Sequence, residues 1–108
     1  MTRKYKSKNE FRYNFDSRHP NYIFGESRNK YKSLGITHKD KTFNQKNMPL
    51  KCNPNKLDKS KAYIRYGVIT SKKTNYSKKL KNYGFSKSDY ANVKSKIRNY
   101  KKINKNNW

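Results

Sequence analysis

The stretch Asn21-Tyr-Ile-Phe-Gly-Glu26, Ser27-Arg-Asn-Lys30, Tyr31-Lys-Ser-Leu-Gly-Ile-Thr37 decides the fold. Two runs of apolar and aromatic residues flank a polar, turn-like tetrapeptide, which is the pattern of a β-hairpin. In a hairpin, the start of the first strand lies beside the end of the second strand. The residues just before Asn21 and those around Thr37 are therefore expected at one edge of a sheet.

Two further segments show the alternation typical of strands. Phe11-Arg-Tyr-Asn-Phe15 alternates aromatic and polar side chains, and Ala62-Tyr-Ile-Arg-Tyr-Gly-Val-Ile-Thr70 is the strongest strand signal in the chain. Asn47-Met-Pro-Leu50 is predicted to be a short edge strand, because a proline cannot donate to a central ladder. The polar segment from Asp40 to Lys46 is expected to be a mobile loop.

A C-terminal helix is predicted to begin after Ser86. Ser86 is a favourable cap, and Asp89 follows three residues later, as in a capping box. An apolar stripe then follows at helical spacing and is expected to pack on the sheet. Its members are Tyr90, Val93, Ile97 and Tyr100.

These elements predict a mainly β fold with one C-terminal helix lying across a small, strongly curved sheet or barrel. Residues 1–10 are expected to form a flexible basic arm, residues 11–101 a single domain, and residues 102–108 a tail.

Charge points to polyanionic partners. The 108 residues include 29 Lys and Arg against 6 Asp and Glu, for a formal net charge of +23. Such a surface binds nucleic acid through counterion release, even without sequence preference. The same charge and a low hydropathy also suit a disordered chain. Ten Tyr, five Phe and one Trp, placed in periodic blocks, favour a small folded core instead. A homodimer or an acidic partner would help to stabilise it.

The chain carries no membrane or export signal that we recognise. It has no apolar run of about 18 residues and no lipidation motif, so we expect no membrane partner. The single cysteine, Cys52, excludes a disulfide framework within the chain and suits a reducing cytoplasm.

Few residues are available for metal chemistry. The six carboxylates are scattered and there are only two histidines, so we expect no metal site and no cofactor. RNA cleavage needs no metal when the 2′-OH attacks its own phosphate. That reaction requires a proton acceptor, a proton donor and a cation on the phosphate.

One edge of the predicted hairpin collects these groups. Arg18 and His19 precede the first strand, while Thr37 and His38 end the second. They are candidate catalytic residues. An ordinary sheet edge with exposed histidines is the alternative, and charge and spacing alone favour that alternative.

The order of motifs resembles the MazF/PemK-like toxin superfamily, whose wider relatives include ToxN-type endoribonucleases. The resemblance spans residues 18–100. The segments that carry it are Arg18-His-Pro-Asn-Tyr-Ile-Phe24, Leu34-Gly-Ile-Thr37, Asn47-Met-Pro-Leu50, Tyr63-Ile-Arg-Tyr-Gly-Val-Ile-Thr70 and Phe85-Ser-Lys-Ser-Asp89.

This resemblance implies a compact SH3-like β-barrel of MazF/PemK type with a terminal helix. It also implies metal-independent cleavage of single-stranded RNA. The family's catalytic arginine falls on Arg18, with a role in proton transfer and phosphate binding, and its catalytic threonine falls on Thr37, which would hold the phosphate. His38 and His19 are assisting candidates.

A basic surface with interleaved aromatics is expected around this cluster. Unpaired bases stack on tyrosine rings for roughly 1–3 kcal/mol each, which favours single strands over duplexes. About half of the tyrosines are expected to lie in the core instead. The predicted RNA contacts are Arg12, Tyr13, Tyr22, Lys30, Tyr31, Lys32, Lys39, Lys41, Lys46, Lys51, Lys72 and Lys73.

The leading hypothesis is a toxin-like, metal-independent endoribonuclease, of the kind found on mobile elements. An acidic protein antitoxin or an RNA antitoxin would suit the charge equally. Two alternatives stay open: a non-catalytic RNA- or ribonucleoprotein-binding module, such as an inhibitor or accessory protein, and a ribosome-associated basic protein.

Overall fold

The computed structural model describes residues 4–105 and 108, and within them the fold is mainly β with one C-terminal helix, as predicted. Six strands form one antiparallel sheet in the order β6-β7-β3-β2-β1-β8, and β4 and β5 form a separate hairpin. The helix is α1 (Lys87–Ile103). The strands are β1 (Lys6–Asn14), β2 (His19–Glu26), β3 (Lys30–Thr37), β4 (Lys41–Thr42), β5 (Gln45–Lys46), β6 (Met48–Pro49), β7 (Tyr63–Lys72) and β8 (Tyr76–Lys79).

The sheet is strongly curled. Strands β7 and β8 are separated in the sheet by three other strands, yet one 3-10 turn (Lys73–Asn75) joins them. Four strand spacings in a flat sheet amount to roughly 19 Å, whereas the links from Lys72 to Tyr76 reach at most about 14 Å. The sheet must therefore bend its two ends together. No pairing joins β7 to β8 in the described residues, so the curl does not close into a barrel.

The helix packs on one face of the sheet. Val93 and Ile97 from the predicted stripe are buried and join a core that includes Tyr22, Leu34 and Ile64. The Ser86 hydroxyl accepts the Asp89 N–H at 3.2 Å, which confirms the predicted cap. Each such apolar side chain contributes about 1.5–3 kcal/mol on burial, so this interface holds the helix in place.

Asp89 differs from its predicted role. Its buried carboxylate does not reach back to Ser86. It accepts the N–H groups of Lys51 at 2.8 Å and Cys52 at 3.0 Å. The first turn of the helix is thereby attached to the loop that follows β6.

The opposite face of the sheet carries a smaller, partly polar layer. Ser33 Oγ donates to Asn21 Oδ1 at 2.9 Å and lies 2.8 Å from the Tyr76 hydroxyl. Ile23 and Tyr31 pack around Tyr76 at the start of β8. This layer fixes the register of β2 and β3, whose ends form the candidate site.

Tyr5 and Trp108 meet on the sheet, in segments where an arm and a tail were expected. Strand β1 begins at Lys6, and both Tyr5 and Trp108 are buried. The Trp108 ring stacks on Phe24 with centroids 5.7 Å apart, and a Cβ at Gly25 would lie 2.6 Å from it. Such non-local stacking leaves no local sequence pattern. Residues 1–3 of the expected arm and 106–107 of the expected tail lie outside the described residues.

Candidate active site and nucleic-acid interface

The β2–β3 register brings the predicted strand ends together. Asn21 pairs with Gly35, so two residues further along the antiparallel ladder His19 lies level with Thr37. His19 begins β2 and Thr37 ends β3. The start of one strand and the end of its partner therefore share one edge, which is the arrangement that the hairpin pattern predicts.

Arg65 on β7 joins this edge, although the sequence did not single it out. A Cβ placed on Gly35 would lie 2.8 Å from Arg65 Cδ and 3.4 Å from Cγ. The arginine side chain thus lies across the glycine, and only a residue without a side chain leaves room for it there. The sequence feature that could have indicated this contact is a glycine in β3 beside β7, the strand that carries Arg65.

His19 is held in its neutral form. Its pKa is lowered from 6.5, first by partial burial and then by the positive charges of Arg65, His38 and Lys39. An imidazole with a lowered pKa is mainly neutral at pH 7. His19 can therefore accept a proton from a substrate hydroxyl.

His38 has a different environment. It is exposed, and its Nδ1 lies 3.0 Å from the Lys61 carbonyl, to which it donates as the Nδ1–H tautomer or when protonated. Its Nε2 lies 3.8 Å from Asp58 Oδ2. Hydrogen bonds from the Ser60 hydroxyl and N–H are the main causes of the lowered pKa of Asp58. This carboxylate is charged at neutral pH and forms an ion pair with His38 when the imidazole is protonated.

Thr37 and Arg18, the residues that the family resemblance implies, are placed differently. Thr37 is 5% exposed, and its Oγ1 accepts the Lys39 N–H at 3.2 Å. Arg18 is exposed in the turn between β1 and β2, with a left-handed φ of 59°. Its guanidinium makes no hydrogen bond or ion pair with any described residue, and it does not hydrogen-bond to Thr37.

A lysine-lined cleft opens beside His38. The loop between β6 and β7 lines most of an open cleft of about 740 Å³. Asp58, Ser60 and Lys61 belong both to its lining and to the surroundings of His38. Its positively charged lining residues are Lys51, Lys56, Lys59 and Lys61. Of these, only Lys51 was among the predicted RNA contacts.

Burial removes three of the predicted RNA contacts in this conformation. Tyr22 and Tyr31 are 2% and 6% exposed, so neither ring can stack on a base. Lys32 is 5% exposed and donates to Thr70 Oγ1 at 3.0 Å and to the Tyr100 hydroxyl at 2.9 Å. These residues hold the fold together instead.

Two more predicted contacts already have anionic partners. Lys73 Nζ lies 2.7 Å from Glu26, and Arg12 is hydrogen-bonded to Glu10 and to the Ser77 carbonyl. The remaining predicted contacts are accessible to a ligand. Lys39, Lys41, Lys46, Lys51 and Lys72 are exposed, and Tyr13 and Lys30 are partly exposed.

Within the described ranges, no three His, Cys, Asp or Glu side chains are grouped so as to hold a metal ion. No helix in that part of the chain is long and apolar enough to cross a bilayer. No protein-family model, no curated protein and no solved structure matches this chain.

Proposed function

We propose that this protein is a metal-independent endoribonuclease that acts on single-stranded RNA. The observation that carries the proposal is the contrast between two histidines at one sheet edge. His19 is kept neutral by burial and nearby cations, whereas His38 faces the carboxylate of Asp58 at 3.8 Å. A partly buried imidazole that can accept a proton and a second imidazole beside a carboxylate supply the two groups that general base and general acid catalysis requires.

The proposed reaction is an internal transesterification. His19 accepts the proton of the ribose 2′-OH, and the 2′-oxygen forms a bond to the adjacent phosphorus. The bond between phosphorus and the 5′-oxygen of the next nucleotide breaks. Protonated His38 donates its proton to that oxygen. The products are a 2′,3′-cyclic phosphate and a free 5′-OH, and no oxidant, reductant or metal takes part.

Arginines supply the charge that the crowded phosphate requires. Arg65 is oriented by Gly35 and lies close enough to His19 to lower the pKa of that imidazole. Arg18 precedes His19 directly, and no described residue occupies its guanidinium. We assign phosphate binding to both arginines. The phosphate hydrogen bond that the family resemblance gives to Thr37 requires its buried hydroxyl to become accessible.

The fold is proposed to be an open version of the SH3-like barrel that the MazF/PemK resemblance implies. The strong curl of the sheet and the three-residue link between β7 and β8 support this assignment. The lysines of the cleft then bind phosphates of a strand that leads past His38. As a cytoplasmic toxin, the protein would be neutralised by an acidic protein or an RNA antitoxin that covers this surface, and a homodimer would add stability.

The proposal is tested by separating binding from cleavage. Purified protein is incubated with single-stranded RNA in EDTA, beside His19→Gln, Arg65→Ala and Arg18→Ala variants. We expect cleavage by the wild type, loss of cleavage in the three variants, and retained RNA binding by His19→Gln. Full cleavage by Arg18→Ala would remove that residue from the site, and full cleavage by His19→Gln would overturn the mechanism.

A non-catalytic RNA-binding module is the second candidate, and the burial of Thr37 favours it. A threonine that is 5% exposed and accepts a local N–H presents little of its hydroxyl to a substrate. This candidate predicts tight, salt-sensitive binding with the RNA intact at the end of the same incubation.

A further inference from the structure

The β4–β5 hairpin presents an aromatic residue at its tip, in the segment that was expected to be a mobile loop. Its two strands pair Lys41 with Lys46 and Thr42 with Gln45. The two-residue turn between them consists of Phe43 and Asn44, both in the left-handed region with φ of 50° and 65°. Two positive φ values identify a type I′ turn, in which Asn and Gly are the favoured residues.

Phe43 is an unfavourable residue for this backbone conformation, and its side chain is not packed against the core. A bulky residue with a positive φ is uncommon, and the strain is greater than for asparagine or glycine. The side chain is also 83% exposed, so its ring contributes almost nothing to the core. Strain of this kind persists where the surrounding structure enforces it, and functional sites are common locations for it.

A buried asparagine fixes the base of the hairpin. Asn47 is 5% exposed, and its Nδ2 donates to the Lys39 carbonyl at 3.1 Å and to Thr42 Oγ1 at 2.8 Å. Its Oδ1 accepts the N–H of Tyr66 in β7 at 3.1 Å. The base of the hairpin is thus attached to the sheet, and the turn carries the Phe43 ring out into solvent.

The charges around Phe43 are mainly positive. Lys39, Lys41 and Lys46 are exposed, against one carboxylate, Asp40, in the segment 38–47. The hairpin follows His38 along the chain, and five extended residues span at most about 17 Å. The hairpin therefore places an aromatic ring among lysines, close to the proposed site for single-stranded RNA. Proteins that bind single strands use this combination to stack bases and bind phosphates.

We infer that Phe43 stacks on an unpaired base of the RNA strand that crosses the His19 and His38 site, while Lys41 and Lys46 bind the flanking phosphates. This inference rests on the proposed function and adds the element that positions the strand. A base is favoured over an apolar protein surface because the lysines complement a polyanion.

The test measures binding without cleavage. The probe is a short fluorescein-labelled single-stranded RNA that is methylated at every 2′-oxygen, which blocks the transesterification. Affinities are measured by fluorescence anisotropy for the wild type, Phe43→Gly, Phe43→Leu and Phe43→Trp. Ile103→Ala, which truncates another exposed apolar side chain, is the matched control.

We expect Phe43→Gly and Phe43→Leu to bind about 5- to 150-fold more weakly, the range for removal of one stacked aromatic ring. Phe43→Gly should melt no lower than the wild type, because glycine adopts positive φ without strain. Phe43→Trp should keep the affinity, and RNA binding should quench the fluorescence of the new tryptophan. The wild type, whose tryptophan Trp108 is buried, should show little quenching. Ile103→Ala should bind as the wild type does.

The other outcomes are distinguishable. Equal affinity of the wild type and Phe43→Gly would overturn the stacking role and leave the proposed function standing. Full affinity of Phe43→Leu would overturn stacking in favour of a general apolar contact. A wild type that does not bind the single-stranded probe would overturn both this inference and the proposed function.

Discussion

The side chain of Arg65 lies across Gly35, in the space where any other residue would place its Cβ at 2.8 Å from the arginine Cδ. The two residues lie on neighbouring strands, β7 and β3, beside the edge where His19 begins β2. Partial burial, and after it the charge of Arg65, lowers the pKa of His19. The missing side chain on β3 therefore leaves room for an arginine of β7 whose charge acts, together with burial, on a histidine of β2.

Substitution of this glycine is expected to impair function more than stability. In Gly35→Ala the new methyl group displaces the flexible Arg65 side chain, at a cost of about 1 kcal/mol in unfolding free energy. RNA cleavage should fall to the level of Arg65→Ala. Urea denaturation and a cleavage assay on the same samples measure both effects. Gly67→Ala is the control, because a Cβ there meets nothing within 4 Å. Wild-type cleavage by Gly35→Ala would contradict the role of Arg65.

The lowered pKa of His19 predicts the pH dependence of stability. Between the folded pKa and the unfolded value of 6.5, the unfolded chain binds more protons at this residue than the folded chain. Stability should therefore rise with pH through this window and be lost as pH falls below 6.5. His19→Gln should remove this component from unfolding curves measured across pH 5 to 8. An unchanged pH dependence in the variant would show that the histidine is not perturbed.

Asp89 is expected to be the most important carboxylate for stability. Its truncation in Asp89→Ala leaves two backbone N–H groups of the 51–52 loop without their charged acceptor, at a cost of about 1.5–3 kcal/mol. Asp89→Asn keeps one acceptor oxygen and should cost less. Urea denaturation checks both values, with the exposed Asp16→Asn as a neutral control. Equal stability of the wild type and Asp89→Ala would show that the loop does not depend on this contact.

The cleft lysines are expected to set the salt dependence of RNA binding. Removing one lysine that neutralises a phosphate of a single strand reduces the slope of log affinity against log salt by about 0.7. Lys56→Gln and Lys59→Gln should each show this reduction in anisotropy titrations. Lys87→Gln on the exposed start of α1 should not. Equal slopes for the cleft and helix variants would mean that charge acts over the whole surface without a preferred path.

Local sequence patterns were sufficient for the secondary structure of the central elements. The hairpin of β2 and β3, the long strand β7 and the Ser86-capped helix are each specified by alternation, helical spacing or a cap within a few residues. The contacts that were not predicted join distant parts of the chain. Trp108 packs on Phe24, and Asp89 binds the 51–52 loop.

The same distinction applies to the candidate site. The proximity of His19 to Thr37 follows from hairpin register, so the sequence alone predicts it. Arg65 lies on β7, which is distant from β2 in the sequence, and the position of its side chain depends on Gly35 on the neighbouring strand. The burial of Tyr22, Tyr31 and Lys32 depends on which sheet face the helix and β8 cover, which composition does not reveal.

The chemistry of the RNA ends is the most direct test of metal-free cleavage at this sheet edge. Single-stranded RNA is incubated with the wild-type protein in EDTA, and the product termini are identified by mass spectrometry. We expect 2′,3′-cyclic phosphate and 5′-OH ends, and no product from RNA methylated at the 2′-oxygens. RNA that stays intact in EDTA, or products with 5′-phosphate and 3′-OH ends, would contradict the proposal.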